Sequence, residues 1–255
     1  MLESLSTGRT ITKSGKPCLQ NLGNFSTPMR MGTTSHIDSE LVDILYGAVC
    51  STKSLGPTVE KWPKWGGGWP RADMAIVDAV LSPRQRYCVV KRKVLNWKSA
   101  TALRAAEEFA IFRNGLALEE REILGTRNMP GTAIQRVDGI IACANLLLNH
   151  QASLRTNCDI RDYVKTEYEA MEIRNLLESN VKGIGPATSA YFLMLVGVPG
   201  VKADSILTRF ISEVFPNYRF SQREIEELVA TCATRFETTP TKLDYAIWRT
   251  TTRLR

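Results

Sequence analysis

Histidine is nearly absent from this 255-residue chain: His36 and His150 are the only two. With so few imidazoles no Ser/His/Asp triad is evident, and nitrogen ligands for a soft metal site run short. The six cysteines, Cys18, Cys50, Cys88, Cys143, Cys158 and Cys232, include no CxxC pair and no cluster of four. A zinc ribbon or a cysteine-ligated iron–sulfur cluster is therefore not expected, and buried free thiols are the simpler reading. No apolar run approaches the roughly 18 residues that would span a bilayer. The first 30 residues mix Ser, Thr, Lys and Gly and lack the apolar core of a secretory signal. Residues 1–36 read as a flexible arm, and a cytoplasmic location, on the nucleoid in a bacterium, is the default expectation. Repeats of fixed period are missing too, which argues against a solenoid.

What is present fits a globular protein with a real core. Hydrophobic residues make up 44% and charged residues 23%, and the length admits one large domain or two small ones. Lys and Arg number 33 against 26 Asp and Glu, a net charge of +7, which favours polyanionic partners. The excess is concentrated in Arg84, Arg86, Lys91, Arg92, Lys93 and Lys98, a stretch with no acid in it. It reads either as a phosphate-facing surface or as a solvated helix face that keeps the chain soluble.

Period-two alternation is scarce, whereas apolar residues recur at three and four positions through most of the chain after Ile37. The pattern predicts helices over 38–50, 71–81, 84–96, 100–114, 117–124, 132–148, 160–167, 169–180, 187–196, 205–215, 221–236 and 241–254. Thr132 with Gln135, and Ser221 with Glu224, carry the spacing of a capping box. Between the first two helices lies a loop in which Trp62, Trp65 and Trp69 bracket three glycines. Such indoles either anchor a long loop onto the core or offer faces to a base.

One segment carries chemistry. A helix ends, Gly183-Ile184-Gly185 makes a tight turn, and Pro186 suits the first turn of the next helix. Glycines let backbone approach a neighbour closely, and amides at a helix start are ready phosphate donors. Such a hairpin between helices can grip a DNA backbone without reading sequence, although Gly-x-Gly turns also occur in plain bundles. Asp204 follows 21 positions after Gly183, at the start of an amphipathic stretch with Ile206, Leu207, Phe210, Ile211 and Val214 inward. There it can cap the helix, a role that by itself accounts for the residue.

Hairpin and aspartate together resemble the helix-hairpin-helix (HhH-GPD) superfamily of DNA glycosylases, most closely the 3-methyladenine DNA glycosylase II branch. The run Gly183-Ile184-Gly185-Pro186-Ala187-Thr188-Ser189-Ala190-Tyr191-Phe192 is similar to that branch's hairpin. Residues 79–85, Ala-Val-Leu-Ser-Pro-Arg-Gln, look like its early helix-end segment, whose polar residue fills the gap left by an extruded base. The stretch 134–144 resembles the helix before its hairpin. The likeness spans about 71–255 and leaves residues 1–36 outside. It implies an all-α fold of two helical subdomains, 37–85 with 198–255 and 86–197, with the active site in the cleft between them.

It also implies roles. Asp204 becomes the catalytic carboxylate; Gly183, Gly185, Ala187, Thr188, Lys182, Lys202, Arg84 and Gln85 become DNA contacts, with Arg84 or Gln85 as the wedge; Tyr191, Trp248 and Trp69 become pocket aromatics. Bifunctional members carry a nucleophilic lysine where Ala187 stands here, so the implied enzyme is monofunctional and leaves an intact abasic site. No metal or other cofactor is implied, and the expected partner of the monomeric protein is double-stranded DNA carrying a modified base. Two alternatives stay open: a non-catalytic hairpin protein that binds DNA and uses Asp204 only as a cap, and an all-helical protein-interaction module.

Overall fold

The computed structural model describes residues 37–52, 55–63 and 67–253, so the expected arm and Trp65 lie outside the described residues. Those residues form helices joined by turns, with no strand and one isolated antiparallel bridge, Asn128 to Gln135. In chain order the α-helices are α1 Ser39–Ser51, α2 Ala72–Leu81, α3 Tyr87–Ala100, α4 Ala110–Arg113, α5 Leu118–Leu124, α6 Arg136–Asn149, α7 Asn157–Tyr163, α8 Glu167–Asn180, α9 Pro186–Val196, α10 Ser205–Val214, α11 Gln222–Arg235 and α12 Pro240–Arg253. Short 3-10 turns cover Val59–Lys61 and Ala102–Arg104.

Several helix starts are written in side chains. The Asp38 carboxylate accepts from the Glu40 N–H, and Ser221 and Glu224 bond reciprocally at the head of α11 as the capping-box spacing predicts. Thr156 with Asp159 and Thr166 with Glu169 do the same for α7 and α8. They place α7 three residues earlier than the apolar pattern suggests.

Two expected elements are not as the pattern has them. Thr132 does not cap a helix: its hydroxyl accepts from Ile134 N–H at 3.1 Å and faces Met129 O at 3.3 Å, and α6 starts only at Arg136. Residues 125–135 instead make a loop, closed by the Asn128–Gln135 bridge. Nor do residues 100–114 form one helix. Buried Thr101 accepts from Arg71 and donates to Trp97 O, both at 2.7 Å, as α3 ends. Further on, Glu108 sits at φ 43 with its carboxylate accepting from Ala72 N–H at 2.8 Å and Asn157 N–H at 3.3 Å. A residue that caps two other helices in the left-handed region cannot continue its own.

Buried side chains gather in two clusters. The larger runs from Ala72 to Val198 and is filled by Trp97, Phe109, Phe192 and the aliphatic faces of α2, α3, α6, α8 and α9. The smaller draws on both ends of the described chain, α1 with Trp62 on one side and Val201, Ala203, α10, α11 and α12 on the other. Packing divides the chain near residues 62–69 and 198–201, not at 85: every residue of α2 is buried, and its apolar side chains belong to the larger cluster. Burying one large apolar side chain stabilises a fold by about 1.5–3 kcal/mol, so a helix buried on all sides goes where its neighbours are. Trp62 resolves as a core residue, its ring against Phe236 and its N–H on Gly56 O.

Candidate functional site

The hairpin forms as its glycines suggest, and the two glycines differ in kind. Gly183 has φ 92, and a β-carbon there would lie 2.8 Å from Met129 Cβ. Gly185, the N-cap of α9, has an ordinary extended φ of −118 and open space where a β-carbon would go. Half-buried itself, it stands next to exposed Lys182 and Pro186 and half-buried Ala187. Thr188 is buried and its N–H is taken by Gly185 O at 2.9 Å, so it turns inward. Ser189 donates to Glu178 on α8, and Arg174 on α8 grips Glu226 of α11 at 2.8 and 3.1 Å. The hairpin is thereby fixed to both cores.

Beyond α9 the chain turns through 198–203 into α10, and this loop is clamped by α12. Gly200 N–H donates to Thr241 Oγ1 at 2.9 Å, Thr241 donates back to Gly200 O at 3.0 Å, and Lys202 N–H donates to Asp244 at 3.0 Å. Asp204 then caps α10: Oδ1 accepts from Ile206 N–H at 2.8 Å and Leu207 N–H at 3.2 Å. Its second oxygen, Oδ2, faces the Lys202 ammonium at 3.6 Å, and both side chains remain about one-fifth exposed. The same ammonium stands 3.8 Å above the Tyr191 ring.

Facing them is the end of α2. Asp78 is fully buried, with Trp69 Nε1 donating to one oxygen at 2.7 Å and Ser82 Oγ to the other at 2.8 Å. Burial pushes its carboxyl up, while hydrogen bonds from Trp69 and Ser82, the Lys202 charge and a hydrogen bond from Tyr191 pull it back. Tyr191 is itself driven well above the usual phenol value, first by burial and then by Asp78. Tyr87, at the start of α3, stacks edge-on against Trp248 of α12 at 5.7 Å, and Tyr245 lies along Trp248 at 6.0 Å. Burial, with Asp78 and Tyr245 nearby, pushes the Tyr87 hydroxyl up to about 12. On the other side Asp244 is raised to about 7, mainly by burial and partly by Asp204.

The structure thus gathers Lys202, Asp204, Tyr191, Trp69 and, through Tyr87, Trp248 along one seam between the two cores. Arg84 and Gln85 sit in the turn between α2 and α3 just before Tyr87, Arg84 exposed at φ 57 and Gln85 half-buried. The hairpin glycines stand at the opposite end of α9 from the loop that leads to Asp204. A groove of about 440 Å³ beside Thr208, Tyr218 and Phe220 contains none of the residues expected to contact DNA, line a base pocket or carry the chemistry. Among the described residues no three His, Cys, Asp or Glu side chains group as a metal site.

Sequence reasoning passed over Asp78, Tyr87, Asp244 and Arg136. A signal existed for Asp78, an acid inside the otherwise apolar run Met74–Leu81 with a serine four positions on. For Asp244 none did.

The sequence profile of a family described as a domain of unknown function (DUF8548) matches residues 53–252. No curated protein and no solved structure matches the chain.

Proposed function

The chain belongs to the DUF8548 family, and we propose that it is a monofunctional DNA glycosylase, one that flips a damaged or modified base out of duplex DNA and hydrolyses its N-glycosidic bond. The observation that carries this reading is Asp204: one oxygen is spent on the α10 cap, and the other is held at the surface of a seam lined by Tyr191, Tyr87 and Trp248.

Each part has work to do in such a reaction. A base inside a duplex is unreachable, so the nucleotide must leave the stack while a wedge from the Arg84–Gln85 turn holds the gap. The hairpin, with open space at the α-carbon of Gly185 and with Lys182 exposed, holds the backbone without reading sequence. Aromatic faces stack on the extruded base. As the C1′–N bond breaks, the base leaves with the electron pair and positive charge grows on the sugar. A carboxylate fixed there by two backbone N–H groups stabilises that charge and orients the water that adds to C1′. Ala187 offers no amine for a Schiff base, so the product is an intact abasic site. The biological setting is repair of modified bases or defence against modified viral DNA.

One observation favours a second reading, a non-catalytic hairpin protein that binds DNA. The α10 cap and the Lys202 pair together account for both Asp204 oxygens. The deciding experiment incubates the protein and Asp204→Asn with DNAs carrying alkylated, deaminated, oxidised and glucosylated hydroxymethylated bases, then compares strand breaks with and without hot alkali. Breaks that need both alkali and Asp204 establish the glycosylase. Salt-dependent binding to every DNA with no breaks in any favours the binder.

A further inference from the structure

Among the described residues Arg136 has no carboxylate as an ion partner. It is 3% exposed, and its guanidinium donates only to backbone carbonyls: Nη1 to Val80 O at 3.1 Å and to Leu81 O, Nη2 to Pro83 O at 2.7 Å, and Nε to Asn128 O at 3.2 Å. The charge that acts on it is another cation, Arg127. Burying an unpaired cation is unfavourable unless strong acceptors surround it. Here the acceptors are the last carbonyls of α2 and the turn beyond, which lack helix partners and lie at the negative end of the helix dipole.

That placement joins two features the proposed function uses separately. The carbonyls of Val80, Leu81 and Pro83 frame the turn in which Gln85 N–H returns to Ser82 O at 3.1 Å and Arg84 is held at φ 57. The Asn128 carbonyl, and the bond from Arg136 N–H to Arg127 O at 2.8 Å, belong to the 125–135 loop. On that loop Met129 and Pro130 pack directly against Gly183 of the hairpin.

Resting on the DNA-processing reading above, we infer that Arg136 is a positioning residue that fixes the Arg84–Gln85 turn relative to the hairpin, so that the wedge enters the base stack at a set step from the clamped phosphate. A lysine cannot replace it, because its compact ammonium lacks the planar fork that reaches carbonyls on two segments at once. Misplacing a working group by about 1 Å can cost on the order of a hundredfold in rate while leaving affinity nearly intact.

The test uses a duplex with a tetrahydrofuran abasic analogue flanked by 2-aminopurine, whose fluorescence rises when it is unstacked. Arg136→Lys should bind this duplex within about threefold of the parent protein and lose most of the fluorescence rise. In an Arg84→Ala/Gln85→Ala background the same change should add nothing, because both act through one turn. Pro83→Gly, which loosens the turn and leaves Arg136 in place, should reproduce the loss and covers the case in which Arg136→Lys does not fold. The inference is overturned if the Arg136 and turn effects multiply, if Pro83→Gly unstacks normally, or if the unaltered protein gives no fluorescence rise. Failure of the glycosylase reading looks different: no base release from any DNA, with the 2-aminopurine rise and its dependence on Arg136 intact.

Discussion

The Lys202 ammonium and the Asp204 carboxylate meet at 3.6 Å with the Tyr191 ring beneath the lysine, while the other carboxylate oxygen holds two N–H groups of α10. The cap and the proposed chemistry thus belong to different oxygens of one side chain, and mutation separates them. Asn caps a helix as well as Asp does, so Asp204→Asn should melt like the parent protein and bind DNA equally well. Base release should fall by about a hundredfold or more, the scale of losing a group that meets transition-state charge. Asp204→Ala should in addition cost about 1 kcal/mol of stability, read as a lower melting temperature. Full base release by Asp204→Asn would remove the carboxylate from the reaction.

The two hairpin glycines should behave oppositely. Gly183→Val places a branched side chain at φ 92 against Met129, and should lower the melting temperature of the free protein. Gly185→Val fills open space at an ordinary φ, and should lower the melt far less, by at most about 1 kcal/mol as a poorer N-cap, while weakening affinity for every DNA about equally. Titrations on two unrelated duplexes check this. Unaltered affinity in a folded Gly185→Val protein would mean the hairpin is not the phosphate clamp.

That contrast shows where the sequence is legible. Gly183 and Gly185 look equivalent as letters, because the collision that distinguishes them comes from Met129, 54 positions away from Gly183. Local signals read well: the stripe of α1, the Ser221–Glu224 box and the glycine turn before α9 each depend on neighbours within one or two turns of chain. Expectations failed where a distant side chain intervened, as Glu108 does by leaving its own helix to cap α2 and α7. Asp244 and Arg136 were invisible for the same reason. The partners of Asp244 lie 42 positions upstream and those of Arg136 up to 56.

Tyr87 and Trp248 stand on α3 and α12, helices of different cores, and meet edge to face at 5.7 Å, so a nucleotide that entered between them would part them. Indole emission reports on its surroundings. A duplex containing an abasic analogue should therefore change the tryptophan fluorescence of the parent protein more than that of Trp248→Phe. Equal changes in the two proteins would place the extruded nucleotide elsewhere.

Asp244 gives the pH dependence a definite sign. An unfolded aspartate titrates near 3.9, whereas burial, helped by the negative charge of Asp204 and opposed by the Lys202 N–H, raises this one to about 7. Between those values the folded chain holds a proton that the unfolded chain has released, so stability falls as pH rises through the window. The contribution is fully present below about pH 4 and gone above about pH 7. Asp244→Asn cannot titrate, yet its side-chain carbonyl can still accept from Lys202 N–H and keep the 198–203 loop clamped. Other acids are shifted as well, with burial raising Asp78, Glu108 and Glu226 and hydrogen bonds lowering Glu107 and Glu169. The informative quantity is consequently the difference between parent and variant. Denaturant unfolding at steps from pH 4 to pH 8 should show the variant gaining on the parent by about a few kcal/mol as pH rises, and a flat difference would mean that Asp244 titrates in the folded chain as it does in the unfolded one.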